Sequence, residues 1–143
     1  MAPQGHRSFF PALLGLILIP SVAFLAIRLA EAHKALLWTE YYVVRGPDRR
    51  GLDEHTRVGR EASRAIDLGA PFPDASVAAR LALDLGRSLE PQSPEAALAL
   101  VAGIRGTLER AQASSFRGWG LGALAAEARS LESRIQSRAV REP

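Results

Sequence analysis

Cysteine is absent from the 143 residues, lysine occurs once, as Lys34, and aromatic residues make up only 6% of the chain. Without a thiol there is no disulfide, no thiolate nucleophile and no cysteine-ligated metal. The redox compartment stays open, because a cysteine-free domain is at home on either side of a membrane. The shortage of lysine means that nearly all positive charge is arginine. Eighteen Lys+Arg face fifteen Asp+Glu, so the formal charge is only +3 although the pI is about 10.2. So small an excess does not make a nucleic-acid surface, which needs positive charge concentrated on one face. The densest basic region, Arg45, Arg49, Arg50, Arg57, Arg60 and Arg64, is diluted by Asp48, Asp53, Glu54 and Glu61. It reads as a solvated face, with Arg49, Arg50, Arg57, Arg60 and Arg64 as the residues placed to contact an acidic partner surface.

Catalytic raw material is equally thin. The histidines are His6, His33 and His55, and no two share the i, i+4 spacing that holds a metal on a helix. His33 with Glu40, and Asp53-Glu54-His55, are the nearest approaches to an acid–base or metal site, and neither has a ligand spacing. The glycines of Gly118-Trp119-Gly120-Leu121-Gly122 lack the preceding strand and the lysine of a phosphate-cradling loop. They read as a tight turn that lets Trp119 cover the end of a bundle. No catalytic residue, metal or cofactor is expected, and the chain is not read as an enzyme.

What the sequence does contain is a long apolar run. From Phe9 to Ile27 no residue is charged. A helix of that length covers about 28 Å, against a hydrocarbon thickness of about 30 Å. Pro11 lies near the helix start, where a missing N–H costs little; Pro20 lies in the interior and is expected to kink it. Pro20 and the neighbouring Ser21, the only polar side chain of the run, are the candidates for contact with another membrane helix. A cleaved signal peptide is the rival reading, with His6 and Arg7 as the basic start and Ala30-Glu31-Ala32 as the cleavage site. Against cleavage, the apolar run is long, Arg28 interrupts the approach to the site, and helical spacing continues through Leu29, His33, Leu36, Leu37, Tyr41 and Val44 with no glycine or proline before Gly46. The helix is expected to leave the bilayer and continue, with Trp38, Tyr41 and Tyr42 packed in the core rather than at the headgroups. Arg7 precedes the span and Arg28, Lys34 and Arg45 follow it. A positive-inside count alone would therefore place the C-terminal domain in the cytoplasm. Short N-terminal tails of uncleaved anchors usually stay inside, and long domains translocate largely regardless of charge, so the helical domain is placed on the extracytoplasmic side.

The remainder divides at glycine and proline. Gly46-Pro47-Asp48 marks a turn, and a helix over 52–68 buries Leu52, Val58, Ala62, Ala65 and Ile66. After Gly69 to Pro73, Asp74 is positioned to cap a helix over 75–89 that presents Val77, Leu81, Leu85 and Leu89 along one stripe, with Ala78 and Ala82 beside it. Ser93-Pro94 opens a helix over 94–113 with Ala97, Val101, Ile104, Leu108 and Ala111 on one face. The last, over 119–138, repeats the register with Leu121, Leu124, Ala128, Leu131 and Ile135, and the two stripes suit antiparallel packing. No segment has the period of a strand. The fold expected is all-α: a tail over 1–8, a transmembrane anchor over 9–27, a bundle of helical hairpins over 28–139 beginning with a helix over 28–45, and a tail over 140–143, about five helices in all. The residue spacing of tetratricopeptide hairpins fails after Gly46, so the hairpin is an architecture here and not a family. These features favour a single-pass, membrane-anchored adaptor or accessory subunit acting by protein–protein contact with other membrane or envelope proteins. The alternative is a secreted bundle, freed by signal cleavage, that binds an apolar ligand or envelope component. Oligomeric state is left open.

Overall fold

The computed structural model describes residues 9–44, 52–114, 118 and 120–139, without the side chains of 9–13 and 52–54. Among the described residues there are five helices and no strand: α1 (Phe9–Val44), α2 (Leu52–Gly69), α3 (Pro73–Leu89), α4 (Pro94–Ala113) and α5 (Gly122–Ala139). The 36-residue α1 runs unbroken through Pro20, because nothing from Ser21 to Val44 breaks a helix. Proline removes the N–H that would bond the Leu16 carbonyl, while the Ser21 hydroxyl donates back to the Ile17 carbonyl at 2.8 Å.

The polar ties of α1 to the rest of the bundle lie in its second half. Arg28 donates to the Asp67 carbonyl at 2.8 Å and Arg64 donates to Glu31 at 2.7 Å. As α1 rises from Arg28 to Glu31, α2 descends from Asp67 to Arg64, so the two are antiparallel. The same reasoning gives the remaining directions. Leu100 lies against Gly59 and Thr107 Oγ1 is 3.1 Å from Ser63 Oγ, so α4 runs parallel to α2. Arg105 Nε is 2.5 Å from Glu132, and Gly122 lies near Gln112, which makes α4 and α5 antiparallel. Arg87 pairs with Glu127 and Glu90 with Arg134 at 2.7 Å, so α3 and α5 are parallel. Hydrogen bonding to Glu127, with the negative charges of Glu127 and Asp84 alongside, holds the Arg87 guanidinium above its ordinary pKa against a lowering by burial. Glu90, nearly buried at the end of α3, is compensated by Arg134 and, at 3.8 Å, by Arg138.

The α4 and α5 stripes are buried as expected, as are Val58, Ala62, Ala65 and Ile66 of α2. For α3, Ala78, Ala82, Leu85 and Leu89 are buried as expected, and Val77 and Leu81 are corrected. Its buried residues are Ala75, Ala78, Ala79, Ala82, Leu83, Leu85, Gly86 and Leu89, whereas Val77 is 40% exposed and Leu81 half-buried. The reason is position: α3 meets α1, α2, α4 and α5, and a helix enclosed on several sides buries more than one stripe, so that Leu83 and four alanines join Leu85 and Leu89 in the core while Val77 faces out. The α3 cap is corrected too. Pro73 occupies the first turn after Phe72 as N-cap, since its fixed φ suits that position, and Asp74 falls inside the helix 3.2 Å from His33 Nδ1. Ser93 holds the N-cap position of α4 but its hydroxyl makes no capping bond. The fifth helix starts at Gly122, after Gly120 has turned the chain with φ +79°; Trp119 lies outside the described residues.

Two glycines predict opposite responses. A Cβ on Gly86 would sit 2.6 Å from Cγ2 of Val101, whereas one on Gly103 would meet nothing within 4 Å. Thermal melting is expected to show Gly86→Ala destabilised by about 1–3 kcal/mol through overpacking. Gly103→Ala should be stabilised by up to about 1 kcal/mol from helix propensity. Equal shifts in the two variants would mean that α3 and α4 do not approach this closely.

Candidate membrane anchor and docking faces

The first candidate site is the apolar half of α1. Among the described residues it is the one helix long and apolar enough to cross a membrane, and its apolar window is not buried anywhere in the fold. Leu16, Ile17, Ile19, Phe24 and Ile27 all stand exposed. An apolar helix that is exposed all round belongs either to a membrane span or to a signal sequence. Pro20 and Ser21 lie in this half and are exposed; the Ser21 hydroxyl is already satisfied within the helix.

Beyond Arg28 the environment of α1 becomes one-sided. Ala32, Ala35, Leu36 and Thr39 are buried against the bundle, and Thr39 satisfies its hydroxyl on the Ala35 carbonyl at 2.9 Å. The expected stripe through Leu29, His33, Leu37, Tyr41 and Val44 is therefore rotated from the true core face, and only Leu36 belongs to both. Small side chains decide this, because α2 comes so close that a Cβ on Gly69 would stand 3.2 Å from that of Ala32. The placement of Trp38 in the core is likewise corrected. Trp38 is 44% and Tyr41 45% exposed, and with Tyr42 they form a cluster in which Trp38 stacks on Tyr42 and meets Tyr41 edge-on. Tyr42 alone of the three leans against the core.

Of the arginines picked out for partner contact, Arg49 and Arg50 lie outside the described residues. Arg57, Arg60 and Arg64 stand exposed along α2. Arg64 is engaged by Glu31, while neither Arg57 nor Arg60 makes an ion pair among the described residues. His33 is paired with Asp74 and is far along the chain from His55 near the start of α2. No group of three or more metal-ligating side chains occurs among the described residues.

One feature escaped the sequence reading. Between the N-terminal halves of α2 and α4 lies a cleft of about 440 Å³ open to solvent, lined by His55, Thr56, Gly59, Ala96, Ala99 and Gly103, with Glu95 at its edge. The signal was two glycines in helix interiors, Gly59 and Gly103, where alanine would be the better helix former. Their value shows only when parallel α2 and α4 bring both to one groove. No family model, curated protein or solved structure matches the chain, so the reading of these faces rests on their geometry and chemistry.

Two substitutions test the division of α1. Ala35→Asp places an uncompensated charge in the core, and melting is expected to report a loss of several kcal/mol or outright unfolding. Leu37→Asp, two residues away on the exposed side, should leave the melting of the bundle within about 0.5 kcal/mol.

Proposed function

We propose that the chain is a single-pass, membrane-anchored helical adaptor or accessory subunit, with its bundle on the extracytoplasmic side, acting through contact with other membrane or envelope proteins. The observation that carries this reading is that one helix holds both the exposed apolar run and the core residues Ala32, Ala35, Leu36 and Thr39. Anchor and domain are then one rigid piece. Rigid coupling has a purpose in an adaptor: it fixes the height and orientation of docking faces above the bilayer, and with them the encounter geometry of a partner held in the same membrane. Two faces are available, the aromatic and aliphatic side of α1 past Lys34 and the small-residue cleft between α2 and α4.

The secreted alternative draws support from that same cleft, whose apolar walls suit a small apolar ligand. Cleavage after Ala32 would, however, remove Ala32 from the core together with the Arg28–Asp67 and Glu31–Arg64 ties.

Extraction separates the two. The protein is expected to remain in the membrane pellet after high-salt and alkaline carbonate washes, with an intact mass that includes the apolar run. Recovery in the soluble fraction with an N-terminus near His33 would establish the secreted form. Because the chain has no native cysteine, Ala99→Cys reports topology directly, and a membrane-impermeant maleimide should label it in intact cells.

A further inference from the structure

Apolar exposure among the described residues is confined to two places. Outside α1, the exposed large apolar side chains are Phe72, 37% exposed, and Val77, 40% exposed. Both belong to the turn between α2 and α3 and the start of α3. No charge occurs from Leu68 to Pro73, whereas the connection between α3 and α4 at the other end of the bundle reads Glu90-Pro91-Gln92-Ser93.

The height of the apolar turn follows from α1. Along that helix Arg28 and Ala32 stand about 1.5 and 7.5 Å beyond Ile27, the end of the apolar run. The Arg28 guanidinium reaches the Asp67 carbonyl at 2.8 Å, and a Cβ on Gly69 would stand 3.2 Å from that of Ala32. Since α2 descends toward the span, the chain reverses at 70–72, on the side nearest the bilayer. The headgroup layer there is about 5–8 Å deep, which is the depth at which the turn lies. Its backbone is suited to that layer. Pro71 and Pro73 have no N–H, the Ala70 N–H donates to the Ile66 carbonyl at 3.0 Å, and the Phe72 N–H donates to the Gly69 carbonyl at 2.6 Å. Residues 70–73 therefore bring no unsatisfied N–H, the kind of group that makes leaving water costly. The nearest carboxylates are engaged, Asp74 by His33 at 3.2 Å and Glu31 by Arg64 at 2.7 Å.

We propose that the turn between α2 and α3 is a second membrane contact, in which Phe72, flanked by Pro71 and Pro73, enters the boundary between headgroups and acyl chains beside α1, with Val77 at the rim. The occupant of this patch is the lipid surface itself. The proposal rests on the membrane-anchored reading, since the anchor is what brings the turn to the bilayer. The contact is apolar, because residues 68–73 include no lysine or arginine to attract anionic headgroups. A single span leaves a domain free to rotate about the helix axis, and a second contact beside it fixes the tilt of the bundle.

The test uses the full chain in phosphatidylcholine vesicles, with single cysteines labelled by the environment-sensitive fluorophore NBD; no native cysteine competes for the label. Lipids carrying a nitroxide at the headgroup or high on the acyl chain should quench Phe72→Cys severalfold more than Gln92→Cys, with Val77→Cys between them. Phe24→Cys, in the span, should respond most to a nitroxide deep in the acyl chain. Because Val77→Cys retains Phe72, quenching at 77 above that at 92 remains the expected result even where a label at 72 disturbs the fold. Equal quenching at 72, 77 and 92, with Phe24→Cys still quenched from within the bilayer, overturns the turn contact and leaves the anchor reading intact. Blue-shifted emission at 72 that is indifferent to spin-labelled lipid also overturns it, since protein would then cover Phe72. Failure of deep quenching at Phe24→Cys overturns the anchor reading and the turn contact with it.

Discussion

A helix bends sharply only at a proline or a similar defect, and α1 has no proline or glycine between Ser21 and Val44. That constraint organises the molecule. From Leu16 to Ile27 the side chains, Ser21 apart, are apolar and stand exposed; from Arg28 onward the same cylinder is apolar and small on one side, where α2 and α3 pack. Three polar contacts mark the join: Arg28 with the Asp67 carbonyl, Glu31 with Arg64, and His33 with Asp74. All are largely exposed, and pairs of this kind contribute at most about 1 kcal/mol each. The attachment therefore depends on burial of Ala32, Ala35 and Leu36 and on the closeness that Gly69 permits.

The bundle is held together by proximity more than by bulk. Four of the eight buried residues of α3 are alanines, and Gly86 lets Val101 reach the α3 backbone. Close approach multiplies weak dispersion contacts along each helix pair, and it makes the packing intolerant of added volume. Larger side chains are concentrated where α4 meets α5, in Ile104, Leu108, Leu124, Leu131 and Ile135. The ion pairs lie around the rim: Arg87 between Asp84 and Glu127, Arg105 between Glu109 and Glu132, Glu90 between Arg134 and Arg138. Arg105, like Arg87, is held above its ordinary pKa, by hydrogen bonding to Glu109 and the charge of Glu132. Each rim pair joins two helices or two turns, and each sets register more than it adds stability.

The same geometry separates the exposed faces. The exposed side of α1 at Leu37, Tyr41 and Val44 looks away from the bundle, whereas the α2–α4 cleft lies at the end of α2 away from Asp67.

The sequence by itself determined the helical class, the apolar run and its continuation past Arg28, the breaks at Gly69 to Pro73 and at Ser93-Pro94, and the core stripes of α4 and α5. Each of these is a local or periodic property: helix breakers act within a turn, and α4 and α5 carry large apolar residues on one face only, so periodicity and burial coincide. Only the tertiary structure decided which face of α1 and of α3 is inside. There Leu37, Trp38, Tyr41 and Val77 are outside while alanines share the inside with Leu36, Leu83, Leu85 and Leu89, because the close approach of neighbouring helices admits small side chains to the core, and hydrophobic size along the sequence carries no record of that distance. The cleft at Gly59 and Gly103 was hidden for the same reason, since two glycines 44 positions apart become one groove only when α2 and α4 lie side by side.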